Sequence, residues 1–280
     1  MLRDNMARQD YSAVLGALHP SWATVSKAVI GMLHLPALPG APAFAGDVRD
    51  IRDRLLLDAE ALAAGGVHGL MMENFGDVPF YPDRVPAHVV AQMAALAVEV
   101  RKAHQNLPLG INVLRNDGRS ALAVAHAVGA SFIRVNVLCG ARVADQGLIQ
   151  GIAHDLLRER AMLGAGDVKI FADVDVKHSA ALSERPLADE VDDLIERALT
   201  DAIIVSGAGT GKATDPEKVR RVKQAAKSVP VFIGSGITAA TIADFLPHVD
   251  GFIVGTSFKK DGVASNQVDV ARVKELMARL

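Results

Sequence analysis

Eight short β-branched runs recur along this 280-residue chain, each followed by an amphipathic stretch, and no other feature limits its fold so narrowly. The runs are AVIGMLHL (28–35), GLMMEN (69–74), LGINVL (109–114), FIRVNVL (132–138), KIFADVDV (169–176), AIIVSG (202–207), VFIGSG (231–236) and GFIVGTSF (251–258). Helical periodicity fills 47–65, 86–105, 118–128, 149–163, 189–200, 215–227, 238–246 and 267–279, and Asp47, Thr238 and Asp215 before Pro216 are helix-start residues. Strand and helix in alternation read as βα units around a parallel sheet. Eight such units in roughly 250 residues describe one α/β domain, a (β/α)8 TIM barrel over 27–280. Two smaller doubly wound domains would need a linker, and the pattern has no break.

Residues 1–26 read as an N-terminal extension leading into the barrel, with a helix as one form open to it. YSAVLGALHP follows Asp4 and Asp10 rather than a basic cluster, which argues against a signal peptide. Half the residues are hydrophobic and the net charge is −2, so the chain can bury a core and carries no nucleic-acid or anionic-membrane footprint. No apolar run reaches a membrane span. With Cys139 as the single cysteine, a disulfide framework or thiolate cage within one chain is excluded, and a cytoplasmic setting is expected. Self-association is expected of a barrel of this type.

The fifth run is unusual. In KIFADVDVKHS, strand periodicity puts Ile170, Ala172, Val174 and Val176 on one face and Asp173, Asp175 and Lys177 on the other. A barrel strand turns one face to the helices and the other to the barrel axis, so the charged set should point inward. The same alternation sends Glu73, Asn112, Arg134, Asn136 and Ser206 inward, and His34 ends the first run on the equivalent side. Polar residues from six strands therefore converge near one mouth.

A glycine-rich end lies beside them. SGAGTGKATD follows the sixth run, GSGIT the seventh, and VGTSFKKDG closes the eighth. Glycine lets backbone approach an oxyanion, and barrels commonly hold phosphate after strands seven and eight. Ser206, Gly207, Gly209, Gly234, Ser235, Gly236, Gly255 and Thr256 are the candidate phosphate residues, with tight strand-to-loop turns as the plain alternative. GAGTGKAT is not a P-loop, because Ser206 and Ala213 stand where that motif needs Gly and Ser or Thr.

Three readings fit the charged mouth. Acid–base chemistry would use a carboxylate and a lysine with shifted pKa values. A hard-metal site would hold Mg2+ or Mn2+ on two or three carboxylates, although no cofactor is firmly implied. A structural reading has three carboxylates balancing two cations. A Schiff-base role for Lys177 would need a desolvated amine, whereas its acidic neighbours favour the protonated form. His178 and His34 read first as hydrogen-bonded scaffold, Met71 and Met72 as core, and Cys139 as a small buried residue. MENFGDVPFYP (72–82) is either a lid or a rigid turn held by Pro79 and Pro82.

IGMLHLPALPG, MENFGDVPF, RVNVLCGARVADQG, FADVDVKH, SGAGTG and GFIVGTSFKKDG, in that order and spacing, resemble the BtpA/SgcQ family from about residue 28 to 280. That resemblance implies a ribulose-phosphate-binding barrel, often labelled phosphoribosylanthranilate isomerase-like, and one branch is described as a factor for photosystem I accumulation. The family block more often has His where Asp175 stands, which shifts weight to Asp173, Lys177 and Glu73. Phosphoribosylanthranilate isomerases use a Cys at the end of strand one as base, whereas the first run here ends at His34, so that label is expected to reflect fold.

The leading expectation is an isomerase, epimerase or lyase acting on a phosphorylated sugar or ribosyl compound by proton transfer. Glu73 and Asp173 would be base and acid, Lys177 and Arg134 electrophilic partners, and Asn112 and Asn136 would orient hydroxyls. The alternative is a non-catalytic assembly factor that retains a protein partner.

Overall fold

The computed structural model describes residues 11–207 and 214–280. In chain order the strands are β1 (Ala28–His34), β2 (Gly69–Glu73), β3 (Leu109–Asn112), β4 (Phe132–Val135), β5 (Ala141–Ala144), β6 (Gly147–Gln150), β7 (Lys169–Val174), β8 (Ser179–Ala181), β9 (Ala202–Val205), β10 (Val231–Ile233) and β11 (Gly251–Val254). Parallel pairing closes β1-β11-β10-β9-β7-β4-β3-β2 into an eight-stranded barrel, and β6-β5-β8 form a separate antiparallel sheet. The helices are α1 (Tyr11–Leu18), α2 (Val48–Gly65), α3 (Ala87–Ala103), α4 (Gly118–Val128), α5 (Ala153–Met162), α6 (Leu187–Asp192), α7 (Pro216–Ala225) and α8 (Val270–Met277). Among the described residues, no helix is long and apolar enough to cross a membrane.

Helix starts follow the acidic caps read from the sequence. Asp47 accepts from Arg49 N and Asp215 from Glu217 N, at 2.8 and 3.0 Å. The helix expected over 238–246 does not form. Two 3-10 turns, Ile242–Asp244 and Leu246–His248, stand there instead. The segment is short, β-branched at Thr238, Thr241 and Ile242, and ended by Pro247, a poor start for a cooperative helix. The helix expected from 149 begins at Ala153, because Gly147–Gln150 pairs with Ala141–Ala144 as a hairpin.

Two packed regions result. Outward residues of the strands meet the helices in the main core, while the barrel interior is filled by Ile30, Met32, Met71, Phe132, Phe171, Ile204, Phe232 and Ile253. Phe132 and Phe171 stack at 4.7 Å between ring centroids, and Phe171 meets Phe232 at 5.2 Å. Small residues make room for them. A Cβ on Gly110 would stand 2.1 Å from the Phe132 ring, and one on Gly251 would stand 2.3 Å from Phe232.

The segment before β1 belongs to this interior. Leu15 and Leu18 of α1 and the buried Trp22 join the same cluster; Trp22 lies 6.0 Å from Phe132 and 6.3 Å from Phe232 and donates Nε1–H to His68 O at 2.7 Å. It therefore plugs the end of the barrel at which the strands begin. Near the other end, Asp58 of α2 takes Lys259 Nζ at 2.5 Å and Val268 N at 2.7 Å, a buried ion pair that fastens the chain between β11 and α8. Trp22→Ala should lower stability by about 3–5 kcal/mol, since an indole and its hydrogen bond leave a closed floor, read as a fall in the denaturant midpoint. An unchanged midpoint would show that the floor is sealed without it.

Candidate active site

Register sets the upper layer of the barrel. His34 pairs with Glu73, Glu73 with Asn112, and Asn112 with Arg134, so four strands deliver polar side chains at one level. Asp173 on β7 and Ser206 just past β9 continue the ring. The layer rests directly on the apolar fill below, and Glu73, Asn112, Arg134, Asn136, Asp173 and Ser206 are all buried.

Within the ring the groups divide into saturated and unsaturated ones. Arg134 grips both oxygens of Asp173, with Nε and Nη2 at 3.0 and 2.7 Å, and Asn136 Nδ2 and Ser206 Oγ also donate to that carboxylate at 2.7 and 3.3 Å. Asp173 is thus an anchor for a buried network. Glu73 is less occupied: Asn112 Nδ2 donates to Oε2 at 2.5 Å, and His34 Nε2 stands 3.9 Å from Oε1. Among the described residues, His34 Nδ1, Asn112 Oδ1 and Asn136 Oδ1 are buried without a hydrogen-bond partner. Each amide nitrogen is committed to a carboxylate, so each free Oδ1 is an acceptor in wait of a donor.

A cavity of about 240 Å3 joins this ring to the glycine turns. Its wall holds His34, Glu73, Arg134 and Lys177 together with Gly234, Ser235, Gly236, Gly255 and Thr256. Gly236 has φ 75°, which favours glycine, and a Cβ on Gly255 would approach His34 Cε1 to 2.8 Å. Burial pushes the His34 pKa down to about 4; Glu73 opposes the shift, while Lys259 and Lys177 add to it. The imidazole is neutral at pH 7 and stacks on Phe75 at 4.4 Å. Burial also lowers the pKa of Lys177, aided by Arg134 and opposed by Glu73 and Asp173.

Not every predicted residue is here. Asp175 does not share the face of Asp173. β7 ends at Val174, and Asp175 has φ 52°, which breaks the two-residue alternation and carries the side chain to Arg142 and Lys218. Burial would raise its pKa, but those two cations hold the carboxyl below its ordinary range. Ser206 belongs to the Asp173 network, and Gly207 N donates to Ser235 Oγ at 3.0 Å, so these two brace the glycine turn from behind. Gly209 lies outside the described residues. Among the described residues, no three His, Cys, Asp or Glu side chains gather to hold an ion. Asp173 is consumed by Arg134, and Asp175 is turned away.

Two cations escaped the sequence reading. Arg272, in the first turn of α8, lines the cavity beside the glycines and donates Nε–H to Ser257 O at 2.8 Å. Arg115, buried after β3, donates to the Lys177 carbonyl at 2.5 Å. Neither lies on a strand, so no alternation argument could reach them. The loop after β2 is tied down at three points: Asn74 accepts from Leu114 N at 2.7 Å, Asp77 from Leu38 N at 2.8 Å, and Gly76 N donates to Leu35 O at 2.9 Å.

Comparison with solved structures places the fold among known barrels. N-(5'-phosphoribosyl)anthranilate isomerase from Pyrococcus furiosus superposes with TM-score 0.56 at 13% identity, covering 90% of this chain and 98% of that one. KGPDC from Streptococcus mutans gives TM-score 0.56 at 12% identity, covering 90% and 96%. At those identities the likeness is one of fold.

Sequence relatives lie much nearer. An uncharacterized protein of Thermococcus kodakarensis is 43% identical over 90% of this chain and 94% of its own length. The photosystem I biogenesis protein BtpA of Synechocystis is 46% identical over 88% and 85%. The sequence profile of the BtpA family matches residues 25–280, and this TIM barrel belongs to that family.

Proposed function

We propose that the mouth is the active site of an enzyme acting on a phosphorylated sugar or ribosyl compound by proton transfer, as isomerase, epimerase or lyase. One observation carries this reading: a single cavity is lined both by groups able to move a proton and by glycine turns with a cation beside them. Gly234, Ser235, Gly236, Gly255 and Thr256 would receive the phosphate, with Arg272 as counter-charge. Glu73 is the base, because it is the carboxylate of the ring whose oxygens are not all engaged. His34, neutral and beside it, would polarise a carbonyl. Asn112 and Asn136 do not line this cavity; they would act by holding the Glu73 and Asp173 carboxylates in place.

The name of the Synechocystis relative supports a second reading, in which the barrel assists assembly of a membrane complex. That reading gives the cavity no ligand. The two separate in a thermal-shift screen of ribulose 5-phosphate, other sugar phosphates and inorganic phosphate. A bound sugar phosphate at 100 times its Kd should stabilise the chain by about 2.7 kcal/mol, and Gly255→Val, which fills the cavity against His34, should abolish the shift. Absence of any shift across the panel would favour the assembly factor.

Glu73→Gln keeps the Asn112 contact in shape but removes the base, so turnover of a substrate found by that screen should fall about 10^2 to 10^4-fold with the fold intact. Retained turnover would move the base elsewhere. His34 makes stability depend on pH in a defined window. Its folded pKa of about 4 lies below the ordinary value of 6.5, so the unfolded chain binds the extra proton between them. Stability attributable to this site is therefore present above pH 6.5 and declines as pH falls toward 4, by on the order of 2–3 kcal/mol. Denaturant midpoints of the native chain and His34→Gln should differ in this pH slope; parallel slopes would refute a buried neutral imidazole.

A further inference from the structure

The ion pairs of the mouth leave Lys177 out. Asp173 is taken by Arg134, and Asp175 by Arg142 and Lys218, whereas Lys177 enters none of the ion pairs formed among the described residues. Its main chain is nevertheless fixed, since its carbonyl accepts from Arg115 Nη2. A held backbone therefore presents an amine without a counter-ion to the cavity that also contains Glu73, His34 and the glycine turns.

The surroundings of that amine disfavour its proton. Burial acts first, the Arg134 and Arg115 guanidiniums act in the same sense, and Glu73 and Asp173 oppose them without reversing the shift. Desolvation next to other cations is the setting in which a lysine becomes a nucleophile toward carbonyls. The saturation of Asp173 by Arg134 matters here, because a carboxylate already shared among four donors has little left to hold an ammonium.

From this placement in one cavity with a carboxyl group, an imidazole and the phosphate-side turns, we infer that Lys177 forms an imine with a carbonyl-bearing phosphorylated substrate. The inference rests on the phosphate reading above and narrows its chemistry. Nζ gives its lone pair to the carbonyl carbon, and the amine proton passes to the resulting alkoxide to give a carbinolamine. That hydroxyl leaves as water, with a proton delivered through the Glu73 carboxyl, as the nitrogen lone pair closes the C=N bond. The iminium then accepts the electron pair from a C–H or C–C bond next to the imine carbon. Where a C–H bond breaks, the Glu73 carboxylate takes the proton; where a C–C bond breaks, the hydroxyl-bearing fragment leaves as an aldehyde or ketone and its hydroxyl proton passes to the same carboxylate. No oxidant, reductant or metal enters the balance.

Pyridoxal 5'-phosphate, which carries an aldehyde and a phosphate on one small frame, is a suitable probe. The full chain is incubated with an equimolar amount at neutral pH, reduced with sodium borohydride and mapped by peptide mass. Label should reach Lys177 in preference to every other lysine, as expected of a desolvated amine beside other cations. Inorganic phosphate should suppress it, and Lys177→Arg should remove it. The mapping is made on the native chain, so it stands even if the variant folds poorly. Label spread evenly over exposed lysines, or absent from Lys177, overturns the imine. Phosphate stabilisation without Lys177 label would leave the phosphate site standing and remove the imine. Label at Lys177 without phosphate stabilisation would keep the reactive amine and overturn the assigned substrate class.

Discussion

A closed barrel admits side chains from every second residue of each strand, and that single restriction organises this molecule. The inward positions are few, and here they are divided by height. Aromatic and aliphatic groups fill the lower part until no water is admitted, and charged groups occupy the level above. The charges are therefore set on a dry floor, where unmet electrostatic demand is expensive. Arg134 and Asp173 satisfy each other so fully that they act as a fixed part of the wall. The same dryness leaves His34 unprotonated and weakens the hold of Lys177 on its proton.

This division also separates structure from chemistry within a cluster that looks uniform as a list of residues. Asp173 and Glu73 are both buried carboxylates on inward strand positions, yet one accepts from four donors while the other, among the described residues, has one amide donor and a histidine 3.9 Å away. Lys259 and Lys177 differ in the same way. The first is closed in by Asp58, and the second faces a cavity. Glu73 and Lys177 are thus the charged groups that the hydrogen bonds and ion pairs of the described residues leave incomplete.

The eight strands, the inward set from His34 to Asn136 and the glycine turns after β10 and β11 could be read from the sequence, because two-residue alternation and glycine placement are local properties. Asp175 could not, since one residue with positive φ inverts the alternation and nothing in VDVKH announces it. The small sheet of β5, β6 and β8 was hidden for another reason: its strands are mostly exposed and lack the buried apolar run that marks each barrel strand. Arg115 and Arg272 come from a loop and a helix end, and only the closed fold brings them to the mouth.

The plug at the floor has a consequence for how the chain is made. Trp22 precedes every barrel strand, yet beyond the neighbouring His19 its ring partners are Phe132 on β4 and Phe232 on β10. On a ribosome the indole cannot complete its packing until β10 has emerged. Contacts that span so much sequence form slowly, because loop closure has to come before the packing that rewards it. Closing the floor is thus among the last events of folding, and a nascent chain halted before β10 would carry an open hydrophobic end that favours association with other chains or chaperones.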